Sequence, residues 1–470
     1  MNCSTSTGRA AQRGMAGNRE CGDSISQVTR LFSPDRATDI VVWRGQTPIR
    51  RHALLDDALS LSGSIPCSAA IVNCCRDRYN FLVVFLGCLL RGKPAILPND
   101  SRRTALMRIA DQFPGALFFA DHEIDVPRSV VSCAEFPGTS ASISHEIPAI
   151  AKEQVAAILF TSGSTGRPVP NARTWQWLVE GAKDYARGLG LDGLDGCNIV
   201  STVPSQHSYG LETSAMLPLR AAAAVSAARP FFPKDVIDAL RSLPLPTVLV
   251  TTPYHLDVLL RSDHAIPAAS LIVSATSPLS KELAKAAEAA FGGMVLEVYG
   301  CTEVGLVGTR RPKSSAAWHP ALSLKLGFSK GHAFVTGRHL AGRIELADTI
   351  ARGRGGTFYL RHRSNDVVKV GGRRASLAGL NSILKAIPGV VDSAIIRRPH
   401  DAPAQRVRLL GFVVLSGRSI GDVKRELRSA ISGPFMPRPL LQVSELPRGP
   451  TGKIHFESLL SLVDGDAART

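Results

Sequence analysis

The stretch Leu159-Phe160-Thr161-Ser162-Gly163-Ser164-Thr165-Gly166-Arg167-Pro168 places glycines among hydroxyl residues directly after an apolar run, residues 155–160. The apolar run predicts a buried strand. Gly163 and Gly166 let the backbone approach an anion closely, and successive N–H groups and hydroxyls form a concave anion site. Only two residues separate the glycines, so this is not a Walker loop. The stretch predicts a phosphate-binding loop, with a Ser/Gly surface turn as the alternative.

Length and composition indicate a globular protein. The chain has 470 residues, 44% of them hydrophobic and 20% charged, which predicts two or three domains with sizeable cores. The longest apolar run, residues 81–90, is shorter than the ~20 residues that cross a bilayer, so no transmembrane segment is expected. Residues 1–30 are predicted to be a disordered tail without an apolar signal core. Nine cysteines without a Cys-x-x-Cys pair favour reduced thiols and a cytoplasmic location.

The formal net charge of +16 requires nucleic-acid binding to be considered. Aromatic residues make up only 6% of the chain, and no basic helix or RNA-binding motif is apparent. A basic surface for anionic nucleotides or for an acidic partner explains the charge equally well. The expectation is therefore a protein without a nucleic-acid partner.

Apolar runs alternate with helix-like segments over most of the chain, which predicts an α/β fold. We expect strands at residues 69–72, 94–97, 116–119, 247–250 and 270–273, and helices at 80–90 and 280–291, the latter capped by Ser280 and stopped by Gly292-Gly293. Past a loop at 353–356, the pattern predicts a helix at 377–386, strands at 392–396 and 409–415, and a helix at 420–431. The predicted domains are a large one at 31–363, with sheets sandwiched by helices, and a small mobile α+β one at 364–470.

Five further motifs follow the phosphate loop in order along the chain. They are Pro204-x-x-His207-x-x-Gly210; Tyr299-Gly300-Cys301-Thr302-Glu303; Asp348 with Gly356 and Arg363; Asp366-x-x-Lys369-x-x-Gly372-x-Arg374; and Pro447-Arg448-x-x-x-Gly452-Lys453-Ile454. Together they resemble the adenylate-forming enzymes, which include acyl- and aryl-CoA synthetases, adenylation domains and luciferases. The resemblance runs from about residue 40 to 460 and implies the reaction acid + ATP + thiol → thioester + AMP + pyrophosphate, with ATP and Mg²⁺ as cofactors.

The resemblance also implies a role for each matching residue. Lys453, Thr302 and His207 are expected to be catalytic: Lys453 bridges the acid and the α-phosphate, Thr302 donates to that phosphate, and His207 lies by the acyl pocket. Mg²⁺ is expected at Glu303 and Thr161, since this hard cation prefers oxygen ligands. The nucleotide is expected to contact Thr161, Ser162, Gly163, Ser164, Thr165, Gly166, Tyr299, Gly300, Asp348, Arg363 and Lys369. Asp348 would accept both ribose hydroxyls, Arg363 flanks the hinge and Lys369 belongs to the hinge motif.

Several of these residues could instead have no functional role. Considered alone, Glu303 and Lys453 would be solvated surface residues. His207 would be an ordinary loop residue, and Arg363 would belong to a generally basic surface. The chain departs from the family pattern at Val169, where a lysine is common, and at Asn365, where Asp or Lys is common. These departures motivate one alternative function, a non-catalytic homologue that binds a nucleotide or a carrier as a regulator.

The acid and the thiol partner remain open at this point. The chain resembles bacterial stand-alone ligases that load aromatic or fatty acids onto carrier proteins, including the hydroxybenzoate-loading ligases of xanthomonadin-type (aryl-polyene) pigment pathways. This resemblance favours an acyl carrier protein over CoA as the acceptor and a hydroxybenzoate-like or fatty acid as substrate. A medium- or long-chain acyl-CoA synthetase is the second alternative, and the oligomeric state is not predicted.

Overall fold

The protein is described here by a computed structural model. It describes residues 27–32, 40–126, 129–133, 136, 138, 146–162, 168–191, 196–329, 332–363, 367–370, 373–397 and 409–467. Within these ranges, no helix is both long and apolar enough to cross a bilayer.

A six-stranded sheet carries the strand that leads into the predicted phosphate loop. Its strand order is Pro168–Thr174, Val155–Ser162, Ala95–Leu97, Ile71–Asn73, Leu117–Ala120 and Val130–Ser132. All neighbours are parallel except the first pair, which forms an antiparallel hairpin. The predicted strands at 69–72, 94–97 and 116–119 are confirmed with shifts of one or two residues, because parallel pairing rather than the apolar run sets their ends.

A nine-stranded sheet forms the second layer. Its order is His319–Pro320, Gly305–Arg310, Met294–Cys301, Leu271–Ser274, Thr247–Thr251, Cys197–Ser201, Ala223–Ser226, Ile40–Arg44 and Thr47–Arg50. The six consecutive strands from Met294–Cys301 to Ile40–Arg44 are parallel, whereas both edges are antiparallel. The carboxyl ends of the parallel strands therefore lie along one edge, where α/β sheets bind ligands.

Helix Arg78–Leu90 lies between the two sheets and contacts strands of both. Twelve of its thirteen residues are buried, so its apolar surface extends around the whole helix. The helix begins two residues before the predicted 80–90, because the Asp77 carboxylate caps it by accepting from the Asn80 N–H. The Arg78 guanidinium donates to the carbonyls of Ser201, Val203 and Ala228, which joins the helix to the ends of the second sheet. Burial lowers the pKa of Arg78 to about 9.

The helices as a whole flank and separate the sheets. They are Arg51–Ser64, Arg78–Leu90, Arg103–Gln112, Trp175–Gly188, Ser208–Gly210, Leu217–Arg220, Pro233–Ser242, Pro253–Leu260, Lys281–Phe291, Leu377–Lys385, Ile420–Ala430 and Phe456–Ala467, with a π-helical stretch at Leu211–Met216 and 3₁₀ turns at Arg354–Gly356 and Gly433–Phe435. The predicted caps of the helix at 280–291 are confirmed: the Ser280 hydroxyl accepts from the Leu283 N–H, and Gly292 ends the helix at φ +72°. The predicted α/β fold class is confirmed.

Smaller sheets complete the described part of the chain. They pair Val28–Arg30 with Ala149–Ala151, Leu324–Ser329 with His332–Gly337 and Ile344–Glu345, Asp348–Arg352 with Phe358–Arg363, Val367–Val370 with Arg373–Ser376, and Val390–Arg397 with Leu409–Leu415 and Leu440–Gln442. The polar residues 361–363 lie in strand Phe358–Arg363, in which His362 and Arg363 pair with Thr349 and Asp348.

The residues after 367 have hydrophobic cores of their own. One contains Leu384, Val413 and Leu427, and the other contains Leu410, Phe412 and Leu459, all fully buried. The predicted helices and strands at 377–386, 392–396, 409–415 and 420–431 are present, with ends that differ by at most two residues. The proposed boundary between residues 363 and 364 and the mobility of the small domain stay predictions.

Candidate active site

The turn after strand Met294–Cys301 holds two of the predicted catalytic and metal-binding residues. Thr302 and Glu303 lie in this turn, at the carboxyl edge of the second sheet, and Glu303 is exposed. A β-carbon at Gly300 would lie 2.4 Å from the Gly305 carbonyl oxygen, so a side chain here would open the turn. The glycine in this motif is therefore required by the close approach of the two antiparallel strands.

Tyr299 and Asp348 meet beside this turn. The Tyr299 hydroxyl donates a 2.7 Å hydrogen bond to Asp348 Oδ2, and the Tyr299 ring packs edge-on against Trp318 and Phe358. Arg363 is the strand partner of Asp348 in the antiparallel register. The fold therefore gathers three of the predicted nucleotide-binding positions, which lie 15 to 64 residues apart in the sequence.

The loop before the π-helical stretch positions His207. The His207 N–H donates to the Pro204 carbonyl at 3.1 Å, and its Nδ1 accepts from the Tyr209 N–H at 3.3 Å. A β-carbon at Gly210 would lie 1.9 Å from the Pro204 carbonyl oxygen, which explains the glycine of this motif. Burial, and the nearby ammonium of Lys453, lower the pKa of His207 to about 3. The imidazole is therefore neutral at physiological pH, and any catalytic role of His207 would involve hydrogen bonding rather than charge.

The loop that carries Lys453 contacts the large N-terminal part of the chain. Gly452 has φ +73°, and a β-carbon there would lie 2.7 Å from Cβ of Tyr254. The Arg448 guanidinium lies 4.6 Å from the Tyr254 ring centroid and donates to the Gly452 carbonyl at 2.6 Å. Arg448 is also held by Asp392 through a bidentate ion pair at 2.8 and 3.0 Å. This contact brings Lys453 close enough to His207 to influence its pKa.

Several predicted site residues are described only in part or not at all. Gly163, Ser164, Thr165 and Gly166 lie outside the described residues, as does Asn365, which departs from the family pattern next to the expected hinge. For Thr161, Ser162, Arg363 and Lys369 the structure describes the backbone: the first two end strand Val155–Ser162, and Lys369 pairs with Arg374. The roles of these residues stay predictions.

The donor set at the turn suits a magnesium ion held mainly by a nucleotide. Among the described residues there is no group of three or more His, Cys, Asp or Glu side chains that could hold a metal. Mg²⁺ is usually bound by one or two carboxylates together with substrate phosphates rather than by a protein cage. The exposed carboxylate of Glu303 is compatible with this mode.

The sequence interpretation did not single out two residues that support this site, Arg173 and Glu212. Arg173 donates to the Thr302 carbonyl and interacts electrostatically with the buried Glu212. The sequence signals for a functional role of these residues were weak. Arg173 is a charged residue near the end of the short strand Pro168–Thr174, and Glu212 is a glutamate in the apolar segment Leu211–Met216. Only the tertiary contacts reveal these residues.

Comparison with known proteins identifies the family of the chain. The model of the family described as "AMP-binding enzyme" matches residues 74–325, more than half of the chain. The chain is 30% identical over 287 residues to a 4-coumarate–CoA ligase of Rhodobacter capsulatus, covering 60% of this chain and 70% of that protein. It is 25% identical over 388 residues to a sulfoacetate–CoA ligase of Cupriavidus necator, covering 72% and 74% of the two chains.

The fold is also that of a solved acid–CoA synthetase. The o-succinylbenzoate CoA synthetase of Bacillus subtilis, in complex with its acyl-adenylate intermediate, superposes with a TM-score of 0.76 at 17% identity, covering 92% of this chain and 98% of that one. The same enzyme has been solved with ATP and a magnesium ion. The predicted cofactors, ATP and Mg²⁺, and the predicted class of AMP-forming acid–thiol ligase are confirmed at the level of the family. With a family model matched over more than half of its length, the chain belongs to the AMP-binding enzymes.

Proposed function

We propose that the protein is an ATP-dependent carboxylic acid ligase that forms an acyl-adenylate and transfers the acyl group to a phosphopantetheine thiol. One observation carries this proposal: the Lys453 loop of the C-terminal part lies against Tyr254 of the N-terminal part, where the ammonium of Lys453 adds to the effect of burial in lowering the pKa of His207. A cation is thereby held at the edge where Thr302 and Glu303 lie. This arrangement suits a reaction between two anions, in which positioned positive charge supplies most of the rate enhancement.

In the first half-reaction, an oxygen of the acid carboxylate attacks the α-phosphorus of ATP. The new bond joins this oxygen to the α-phosphorus, and the bond from the α-phosphorus to the bridging oxygen of the β-phosphate breaks, so that pyrophosphate leaves. Lys453 would neutralise charge on the carboxylate and the α-phosphate, and Asp348 would hold the ribose. Bound Mg²⁺ would neutralise phosphate charge, with Glu303 as its protein ligand.

In the second half-reaction, a thiol attacks the acyl carbonyl carbon. The carbon–sulfur bond forms, the thiol loses its proton, and the bond to the phosphate oxygen breaks so that AMP leaves. The C-terminal domain would rotate about Asn365 between the two steps, which removes Lys453 and admits the thiol. The contacts of Gly452 with Tyr254 and Arg448 would belong to the first of these two states.

An acyl carrier protein is the favoured thiol donor, with CoA as the alternative. Six arginines between residues 338 and 373 are exposed: Arg338, Arg343, Arg352, Arg354, Arg361 and Arg373. We call this group the basic face. Carrier proteins are typically acidic, and a complementary field would accelerate their encounter. CoA is anionic as well, so the basic face favours an anionic thiol donor and the resemblance to carrier-loading ligases favours the protein.

The acid is proposed to be aromatic and hydroxybenzoate-like, with a fatty acid as the alternative. Similarity to a 4-coumarate–CoA ligase supports an aromatic acid. The sulfoacetate–CoA ligase is also similar, so the family relationship alone does not select the acid.

The test is acid-dependent exchange of labelled pyrophosphate into ATP, with a panel of hydroxybenzoates, cinnamates, small acids and fatty acids. We expect exchange with at least one aromatic acid and none without acid. Exchange with fatty acids alone would reassign the protein as an acyl-CoA synthetase. Absence of exchange with every acid, despite ATP binding, would favour the non-catalytic regulator.

A further inference from the structure

A buried arginine lies directly behind the Thr302–Glu303 turn. Arg173 is the second-last residue of strand Pro168–Thr174, next to a register irregularity, and only 8% of its surface is exposed. Its Nη2 donates to the Thr302 carbonyl, and its Nη1 donates to the Ala172 carbonyl at 2.8 Å. The guanidinium carbon lies 4.6 Å from the centroid of the Trp177 ring. Arg173 is thus tied to the backbone of a predicted catalytic residue rather than to solvent.

A buried carboxyl group, that of Glu212, lies near the guanidinium. Glu212 lies in the π-helical stretch Leu211–Met216, is 1% exposed, and accepts a 3.0 Å hydrogen bond from the Ser208 hydroxyl at Oε1. Burial lowers the pKa of Arg173, while the carboxylates of Glu212 and Glu303 both raise it. Arg173 therefore interacts electrostatically with the predicted magnesium ligand and with a second carboxylate that solvent does not reach.

Trp177 and Glu212 also pack against Gly305, at the end of the Thr302–Glu303 turn. Gly305 has φ +84°, and a β-carbon there would lie 3.0 Å from the Trp177 ring and 3.2 Å from Oε2 of Glu212. Trp177 and Glu212 thus pack against one end of the turn, and Arg173 binds its middle through Thr302. The backbone that presents Thr302 and Glu303 has little freedom to move away from the nucleotide.

A purely structural role for Arg173 is the competing interpretation. A buried guanidinium that donates to carbonyl groups can serve packing alone, as Arg51 does by donating to the carbonyls of Pro218 and Ala221 at 3.1 and 3.0 Å. Two observations distinguish Arg173 from Arg51. Its carbonyl acceptor belongs to the turn that carries Glu303, and its charge interacts with Glu303 itself. Burying a cation costs free energy, so its placement at this turn calls for a compensating role.

We propose that Arg173 is a positioning residue for the magnesium–nucleotide complex. By holding the Thr302 carbonyl, Arg173 fixes the direction in which Glu303 presents its carboxylate, and Glu212 keeps the guanidinium in place. The proposal rests on the proposed function, because Glu303 acquires its role there. Arg173 does not touch the substrate in this role and acts only through the turn.

The test compares the full-length wild type with Arg173→Met, Arg173→Lys and the matched control Arg51→Met. Binding of Mg·ATP is measured by calorimetry without acid, so that no turnover occurs, and is repeated with EDTA. Pyrophosphate exchange is then measured over a range of Mg²⁺ and acid concentrations, and thermal unfolding reports stability. Arg51→Met loses the same kind of buried guanidinium–carbonyl contacts outside the site.

We expect Arg173→Met to raise the Kd of Mg·ATP and the half-saturating Mg²⁺ concentration by about 10-fold or more, as for partners that orient a metal ligand. The Michaelis constant for the acid should change by less than about twofold, because Glu303 is not its ligand. Arg173→Lys should fall between wild type and Arg173→Met, since it keeps the charge but loses the fork-shaped donor. Arg51→Met should lower the unfolding temperature while its Mg²⁺ dependence stays that of the wild type.

An unchanged Mg²⁺ dependence in Arg173→Met, or an equal loss of Mg·ATP affinity in Arg51→Met, would overturn the proposal. If Arg173→Met does not fold, Arg173→Lys decides by the same criterion: weaker Mg·ATP binding supports the proposal and unchanged binding refutes it. A wild type that binds Mg·ATP but exchanges pyrophosphate with no acid would refute the proposed function instead. The calorimetric comparison would still decide the role of Arg173 in that case.

Discussion

The hydroxyl of Tyr299 donates a 2.7 Å hydrogen bond to Oδ2 of Asp348, across 49 residues of sequence. This contact joins the end of the second sheet to the strand pair that follows it, and it orients the carboxylate expected to bind the ribose. A carboxylate that is already held in one direction loses less entropy when it binds a ligand.

Asp348→Ala should raise the Michaelis constant for ATP by about 10-fold or more, since hydrogen bonds to a charged group contribute ~1.5–3 kcal/mol each. Tyr299→Phe should have a smaller effect in the same direction, because only the orientation of Asp348 is loosened. Glu345→Ala, which removes a neighbouring exposed carboxylate, is the control. Steady-state exchange kinetics measure all three, and an unchanged Michaelis constant in Asp348→Ala would exclude the ribose role.

Lys453→Ala should slow adenylation by a factor of ~10² or more, as expected for the loss of a preorganised charge. Thioester formation from a supplied acyl-adenylate should remain, because in the proposed mechanism Lys453 would leave the site before that step. The exposed Lys285→Ala serves as the control. Rapid-quench measurement of each half-reaction checks this, and an equal loss in both steps would contradict the assignment.

Gly452→Ala should also impair adenylation selectively. The substitution introduces a β-carbon 2.7 Å from Tyr254 at a residue with φ +73°, so the loop must move and displace Lys453. Gly417→Ala is a matched control in the same part of the chain, with φ +70° but no atom within 4 Å of the added carbon. Both variants should lose about 1 kcal/mol of stability from the strained backbone, and only Gly452→Ala should slow adenylation. Similar adenylation rates in the two variants would show that the contact with Tyr254 is unimportant.

Glu212 should make stability fall as pH rises. Burial raises the pKa of its carboxyl from 4.5 to about 7, so the folded state holds this proton more tightly than the unfolded state. The free energy of unfolding is then highest below the unfolded pKa and falls as the pH rises through about 7. Glu212→Gln should be more stable than wild type at about pH 8, by up to about 3 kcal/mol, with the difference vanishing in acid. Urea unfolding over a pH series measures this, and a constant difference would contradict it.

Glu288 should give the opposite pH dependence: its contribution to the free energy of unfolding should decrease as the pH falls. Its hydrogen bonds with Arg311, and then Lys313, lower the pKa of the carboxyl from 4.5 to about 2. The stabilisation is present above the unfolded pKa and is lost as pH falls through the folded pKa. Glu288→Gln should therefore be less stable than wild type at neutral pH and approach it in acid. A variant that remains equally destabilised at every pH would indicate a loss of packing rather than of charge.

Loading of an acyl carrier protein should depend strongly on salt. Screening shortens the range of the basic face from ~10 Å at 0.1 M salt to ~3 Å at 1 M. The double charge reversal Arg354→Glu and Arg361→Glu should slow carrier loading while leaving pyrophosphate exchange intact; Arg425→Glu, on an exposed helix face, is the control. Saturable thioester formation with free CoA, and none with any carrier protein, would identify CoA as the donor.

Much of the fold was predictable because short-range patterns determine it. The apolar run 155–160 became a buried strand, and Ser280 and Gly292 bounded a helix, since capping and burial of one run are local properties. The order of motifs likewise indicated the adenylate-forming family. The glycines of two of these motifs proved necessary, because side chains at Gly210 and Gly300 would collide with backbone oxygens.

The contacts that assemble the site were decided only by the tertiary structure. Tyr299 reaches Asp348, Arg173 reaches Thr302, and the Gly452 loop reaches Tyr254, each across 49 to 198 residues. No local pattern encodes such pairs, because they depend on how two sheets and a separate C-terminal core pack together. Burial then changes the chemistry: it keeps His207 neutral and raises the pKa of Glu212, effects that arise from the loss of solvent around each group. The sequence by itself determined the strands, helices and reactive residue types, and packing decided which of them meet and how they ionise.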